Sequence, residues 1–178
     1  DELATLMIQD FRGRIIPMHT FCDQFLRKIS RSNTYEISPD NELNAVQTVM
    51  SMHRFQNYWM EQDIVYISMK GGLREKLKIK GTHTSFRNLL RDNGEFVFAQ
   101  EYNDAFRMVE AKRGEFEKQV LKLGEKFLLL NDVYTPMWKQ IRALPIEGDS
   151  TNTWTSILDV QNNLVGVNVA IKYLMALD

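Results

Sequence analysis

Apolar and polar positions along the chain change period several times, and each change marks an element. Leu6-Met7-Ile8 is a short apolar run. Asp10-Phe11-Arg12-Gly13 carries turn chemistry, and Arg14-Ile15-Ile16 returns to apolar character. This predicts an N-terminal β-hairpin with Gly13 at positive φ, ended by Pro17, which has no N–H for a ladder. From His19 the period becomes helical. Phe21, Cys22, Phe25, Leu26 and Ile29 share one face while Asp23, Arg27 and Lys28 face away, an amphipathic helix of about three turns.

Ser38-Pro39-Asp40-Asn41-Glu42 carries the chemistry of a helix start. Ser38 would be the N-cap, Pro39 the first helical residue, and Asp40 and Glu42 would complement the dipole. Leu43, Val46, Val49 and Met50 would form the buried stripe of that helix. Ile64-Val65-Tyr66-Ile67 is a β-rich run, punctuated by Gly71-Gly72. Leu73 to Ile79 reads as a short helix, and Thr84-Ser85-Phe86 opens another through Leu89-Leu90. Asp92-Asn93-Gly94 reads as a turn and Phe96-Val97-Phe98 as a short strand.

The longest pattern follows. Tyr102, Phe106, Val109, Phe116, Val120, Leu123, Phe127, Leu130, Tyr134, Met137 and Ile141 alternate by threes and fours, with Arg113 interrupting. This predicts one long helix, or two in line broken near Gly114, packed within the chain rather than in an extended coiled coil. Ala143 to Ile146 exits it, Glu147 to Asn152 is a polar loop, and Thr153-Trp154-Thr155-Ser156 opens a last helical region ending near Leu177. The expected fold is mainly α: one helical domain over residues 1–178 with a small N-terminal β-hairpin and one or two short strands.

The chain has 178 residues, 44% of them apolar and 25% charged, enough for a core without metal or disulfide staples and unlike a disordered chain. Its 22 basic and 23 acidic residues leave a net charge of −1, so no nucleic-acid partner is expected. The single Cys22 excludes an internal disulfide framework. The most apolar stretch, Leu164 to Leu177, is interrupted by Asn168 and Lys172 and falls short of the roughly 20 residues of a span. The opening Asp1-Glu2-Leu3 has no Met and no basic segment before an apolar one. It is expected to belong to a processed protein or to a soluble domain of something larger.

Candidate chemistry is sparse. His19 and Cys22, at i and i+3, would share a helix face as ligands for a metal or haem iron, unless Cys22 is a small core residue. Met50, Met52 and His53 cluster, with Met60 and Met69 further on, and thioether with imidazole suits copper(I) or haem. Methionine is equally a core gap filler. Cys22 with His53 or His83 as base lacks an orienting third residue, so no catalytic site is expected. Gly71-Gly72 lacks the lysine and hydroxyl of a phosphate loop. Lys76, Lys78 and Lys80 read as a solvated edge.

The segment Gln9-Asp10-Phe11-Arg12-Gly13-Arg14-Ile15-Ile16-Pro17-Met18-His19-Thr20, followed by Leu26-Arg27-Lys28-Ile29, resembles the pattern QDxxGRIxPxxT…LRKI of the large cytochrome c assembly proteins of Bacteroidetes-type bacteria. These are fused membrane proteins of the ResB/CcsA-like, system II pathway of cytochrome c biogenesis. Tyr58-Trp59, Ile64-Val65-Tyr66-Ile67 and Asn152-Thr153-Trp154 are similar to the same family further along, so the likeness runs from about Leu6 to Ser156. It implies a soluble domain on the periplasmic side of the inner membrane, within a protein that presents haem to apocytochrome c. The implied partners are apocytochrome c or other assembly factors. The family's tryptophan-rich haem segment has no counterpart, because Trp59, Trp138 and Trp154 are scattered. Docking is therefore the role expected of this domain. The alternative is an extracytoplasmic haem-, metal- or small-ligand-binding sensor, with His19 and His53 as the residues that would hold the cofactor.

Overall fold

Pro17, which closes the first hairpin, also opens the helix on which the rest of the chain packs. A computed structural model describes residues 2–5, 7–9, 14–134, 142–145 and 154–156. A single turn of helix, α1 (Glu2–Thr5), precedes β1 (Met7–Gln9), which pairs antiparallel with β2 (Ile15–Pro17) so that Met7 faces Pro17 and Gln9 faces Ile15. The turn between them, with Gly13, lies outside the described residues. Pro17, extended at φ −63°, is the N-cap of α2 (Met18–Ser30). All five expected stripe residues of α2, Phe21, Cys22, Phe25, Leu26 and Ile29, are buried, and Arg27 and Lys28 are exposed.

The next element differs from expectation. Ser38 does not start a helix. It ends β3 (Thr34–Ser38), Pro39-Asp40 form the connection, and β4 (Asn41–Asn44) returns antiparallel with Tyr35 opposite Leu43. Proline pre-sets φ for a turn as well as for a first helical turn, and the preceding Thr34 and Ile37 favour a strand. The helix begins later, as α3 (Ala45–Arg54). Asn44 caps it: its Oδ1 accepts the Gln47 N–H at 2.9 Å, and Gln47 Oε1 accepts the Asn44 N–H at 3.0 Å. This reciprocal pair satisfies two donors that the helix leaves open. Asn44→Ala is expected to cost about 1 kcal/mol in urea unfolding; an unchanged midpoint would contradict the cap. The buried face of α3 is Ala45, Thr48, Val49 and Met52, while Val46 and Met50 are half-buried.

After α4 (Gln56–Glu61), the expected strand at Ile64–Ile67 is reduced to β5 (Val65–Tyr66), paired with β6 (His83–Thr84). Gly71 and Gly72 both have positive φ and lead into the single-turn helix α5 (Leu73–Lys76). Thr84 therefore belongs to a strand, and only a 3-10 turn at Arg87–Leu89 follows it. Phe96 makes one isolated bridge to Leu90 rather than a strand.

The long apolar series does not form helices in line. It divides into α6 (Ala99–Arg107) and α7 (Glu115–Tyr134), and α6 folds back along α7. The chain leaves the helix at Met108, well before Gly114. Arg113 closes the end of α6: its guanidinium donates to the carbonyls of Ala105 (3.0 Å), Met108 (3.1 Å) and Phe106 (3.3 Å). Phe106 and Val109, read as seam positions, are 68% and 66% exposed. Close approach of the two helices depends on Gly124, where a Cβ would overlap the Tyr102 ring. Gly124→Ala is expected to destabilise by about 1–2 kcal/mol, overpacking outweighing the helix propensity of alanine. Tyr102→Ala in the same chain should recover part of that loss; a stabilised Gly124→Ala protein would contradict the packing.

Beyond α7 the chain forms another antiparallel hairpin. Strand β7 (Arg142–Pro145) lies beside β1 and pairs with β8 (Trp154–Ser156). Trp154 thus begins a strand and not the expected helix. The remaining expectations there, Met137, Ile141, the 147–152 loop and a helix to Leu177, lie outside the described residues. The chain is mainly α with short antiparallel hairpins. One core joins α2, α3, α4, β5, α5 and α7, and its aromatic layer stacks Phe127 on Phe86 and Phe96, with centroids 5.1 and 4.7 Å away.

Candidate functional site at the end of α2

The last carbonyls of a helix have no partner within it. At the end of α2 they are taken up by side chains from three elements. Ser30 Oγ donates to the Leu26 carbonyl at 2.9 Å, and the backbone N–H of Arg31 reaches Arg27 at 3.1 Å. His83 Nε2, from β6, donates to the Ser30 carbonyl at 2.9 Å. Lys126 Nζ, from α7, donates to the Ile29 carbonyl at 3.1 Å and to the Tyr66 carbonyl at 2.6 Å. A carbonyl only accepts, so the neutral His83 ring carries its proton on Nε2. Its Nδ1 then accepts from the Thr82 hydroxyl at 2.8 Å.

Positive charge accumulates at this point. The Lys126 ammonium lies 5.1 Å from the Tyr66 ring centroid, and the Arg31 guanidinium lies 4.8 Å from it. Lys126 is only 8% exposed. Burial first, then the charges of Arg31 and Lys28, bring its pKa down to about 8. Lys28 is paired with Glu125 on the surface. Lys126 has no carboxylate partner among the described residues. Beside it a cavity of about 40 Å³ is lined by Arg31, Tyr66, Ser68, Gln119 and Lys122.

The residues singled out from sequence are not gathered here. His19 is exposed in the first turn of α2. Its Nδ1 donates to the Ala4 carbonyl at 3.0 Å, and its Nε2 is 3.2 Å from the Thr20 hydroxyl. Cys22 is fully buried, so the pair does not present two ligands to one ion. Burial above all, with the Asp23 charge adding, pushes the thiol up to about 12, which keeps it protonated and a poor nucleophile or ligand. His83 Nε2 is engaged by the Ser30 carbonyl. Met52 is fully buried in the core, His53 is half-buried in the last turn of α3, and Met69 is 77% exposed. Among the described residues, no three His, Cys, Asp or Glu side chains are grouped as a metal ion would need. Lys76, Lys78 and Lys80 are exposed, with Lys76 5.1 Å from the Phe116 ring centroid.

No protein-family model matches the chain, and no curated protein matches it. Among the described residues, no helix is long and apolar enough to cross a membrane.

The buried thiol gives a measurable pH effect. Its ordinary value is 9.0 and its folded value about 12, so between these the folded chain keeps a proton that the unfolded chain releases. The contribution is fully present below pH 9 and lost as pH rises, by about 1.4 kcal/mol per unit. Cys22→Ala is expected to flatten this alkaline fall in urea unfolding between pH 9 and 11. An unchanged slope would show that the thiol does not resist ionisation.

Lys126 was missed from sequence although its signal was present. It stands three residues after Leu123 and four before Leu130, within the apolar stripe of α7, where a solvated lysine does not belong. Gln119, one turn before Leu123, is buried on the same stripe.

Proposed function

We propose that this chain is a domain on the periplasmic side of the inner membrane, part of a ResB/CcsA-like cytochrome c assembly protein. Its task is to dock apocytochrome c or another assembly factor near the place where haem is attached. The observation that carries the reading is the segment Gln9–Thr20 with Leu26–Ile29. Its described residues include the last residue of β1, all of β2 and parts of α2, where the apolar Met18, Leu26 and Ile29 enter the core while Arg14, Arg27 and Lys28 are exposed.

The surface supports docking over catalysis. Phe55 and Tyr58 are 60% and 47% exposed and, with Arg54, line an open concavity of about 390 Å³ between α3 and α4. Aromatic and arginine side chains are those most enriched at protein interfaces. Trp59, beside Tyr58 in the likeness, is fully buried and fixes that turn from below.

The test is binding of the domain to an apocytochrome c peptide bearing the Cys-x-x-Cys-His segment. Saturable binding is expected, weakened about tenfold by Phe55→Ala with Tyr58→Ala, a loss of about 1.4 kcal/mol. Failure to bind that peptide or any assembly factor would remove docking. In parallel, haem is titrated into the protein and its His19→Ala and His53→Ala variants. A saturable Soret shift that depends on either histidine would favour the haem-binding sensor instead.

A further inference from the structure

The cationic pocket at the end of α2 has more positive charge than its structural role uses. The C-terminal end of a helix offers roughly half a negative charge, and three cationic side chains, Arg31, Lys122 and Lys126, surround it. Lys126 has three donors, of which two are used by the Ile29 and Tyr66 carbonyls. Arg31 and Lys122 are exposed and have no carboxylate partner among the described residues. Glu125 on α7 is taken by Lys28. Ser68 adds a hydroxyl to the lining, and the Gln119 amide there already donates to the Glu115 carboxylate at 2.6 Å. Arg31 is also held at φ 68°, the left-handed conformation in which glycine is the usual residue after a helix. Glycine there would relieve the backbone and lose the charge.

We propose that this pocket binds a phosphate-type oxyanion, with Lys126 as its buried donor and Arg31 and Lys122 closing on it from the surface. The cavity of about 40 Å³ exceeds the 10–15 Å³ or so that one water requires. A tetrahedral anion meets donors from several directions, as the differing origins of Arg31 (after α2), Ser68 (after β5) and Lys122 (α7) provide. Burial first, and then repulsion from Arg31 and Lys28, lower the Lys126 pKa, and an anion in the pocket would offset the repulsion. The inference rests on this pocket alone and is independent of the cytochrome c reading.

The test is a titration with inorganic phosphate at constant ionic strength set by chloride, following thermal unfolding and the Tyr66 ring resonances. Phosphate is expected to raise the melting temperature and shift the ring resonances saturably. Arg31→Gln with Lys122→Gln alters exposed residues only and is expected to weaken binding at least tenfold without loss of fold. Equal responses to phosphate and chloride, or an unchanged affinity in the double variant, would overturn the site. A second arm separates two sources of the same group. Sedimentation with phosphatidylglycerol vesicles that phosphate competes away, and that the double variant loses, supports the site with a lipid headgroup as ligand. Phosphate binding without vesicle binding supports it with a soluble phosphate ester.

Discussion

Trp59→Ala is expected to destabilise the protein by about 3–5 kcal/mol, against a total of about 5–15 kcal/mol for a domain of ordinary size. Among the described residues, Trp59 is the largest fully buried side chain. Its ring meets Tyr35 edge-on at 4.8 Å and Tyr58 at 5.7 Å, and its Nε1 donates to the Ser51 hydroxyl at 2.9 Å. Alanine would open a cavity where α4 packs on the β3–β4 hairpin and would remove the Ser51 partner. Trp59→Phe keeps most of the volume and is expected to lose about half as much. Denaturant unfolding should show the midpoint falling with little change in slope. A loss under about 1 kcal/mol for the alanine variant would mean that this corner can collapse and that Trp59 does not fix it.

Lys126→Met is the second large effect, and its size depends on pH. Methionine fills the same space but leaves the Ile29 and Tyr66 carbonyls without their donor, about 1–3 kcal/mol each. It also removes a buried charge, and that gain offsets part of the loss. The folded pKa of Lys126 is about 8 and its ordinary value 10.5. Below pH 8 both states are protonated and the native chain bears the full cost of the buried charge. Between pH 8 and 10.5 the unfolded chain holds the extra proton, so this group's contribution makes the native protein more stable as pH rises. Neutral Lys126 still has two N–H donors for its two carbonyls. The deficit of Lys126→Met relative to the native chain is therefore expected to grow, from about 1–2 kcal/mol at pH 7 to about 4–5 kcal/mol near pH 10.5. Urea unfolding at the two pH values measures it. A deficit that shrinks with pH would mean that Lys126 is not burdened by its burial. The trend opposes that of Cys22, so the native protein itself should change little between pH 9 and 10, and only the two variants reveal the balance.

Helix α2 was legible because one face carries only apolar side chains and the other carries Arg27 and Lys28. The first hairpin was legible because its strands are apolar and its turn polar. Ser38-Pro39 was misread because a proline after serine suits a helix start and a turn equally. The distinction lay outside the motif, in the β-branched Thr34 and Ile37 before it and in the Asn44–Gln47 box after it. The apolar series from Tyr102 was misread because spacing by threes and fours survives a chain reversal. Phe106 and Val109 keep the period but are exposed, and Arg113, which interrupts the apolar series, closes the end of α6. The pocket was hidden for a different reason. Its contacts join positions 97 residues apart, Ile29 with Lys126, and 60 apart, Tyr66 with Lys126, and no local pattern encodes that closure. His19 and Cys22 illustrate the reverse: helical spacing put them near one another, but one turned to solvent and the other to the core.

The claim that this domain serves cytochrome c assembly is tested most directly in the organism that makes it. Its gene would be replaced by the Trp59→Ala form and by a form lacking the domain, and covalently bound haem in c-type cytochromes measured by peroxidase staining of denatured protein. The account expects haem-bearing cytochrome c to fall several-fold in both strains while apocytochrome is still made and exported. Undiminished staining in the strain lacking the domain would contradict it.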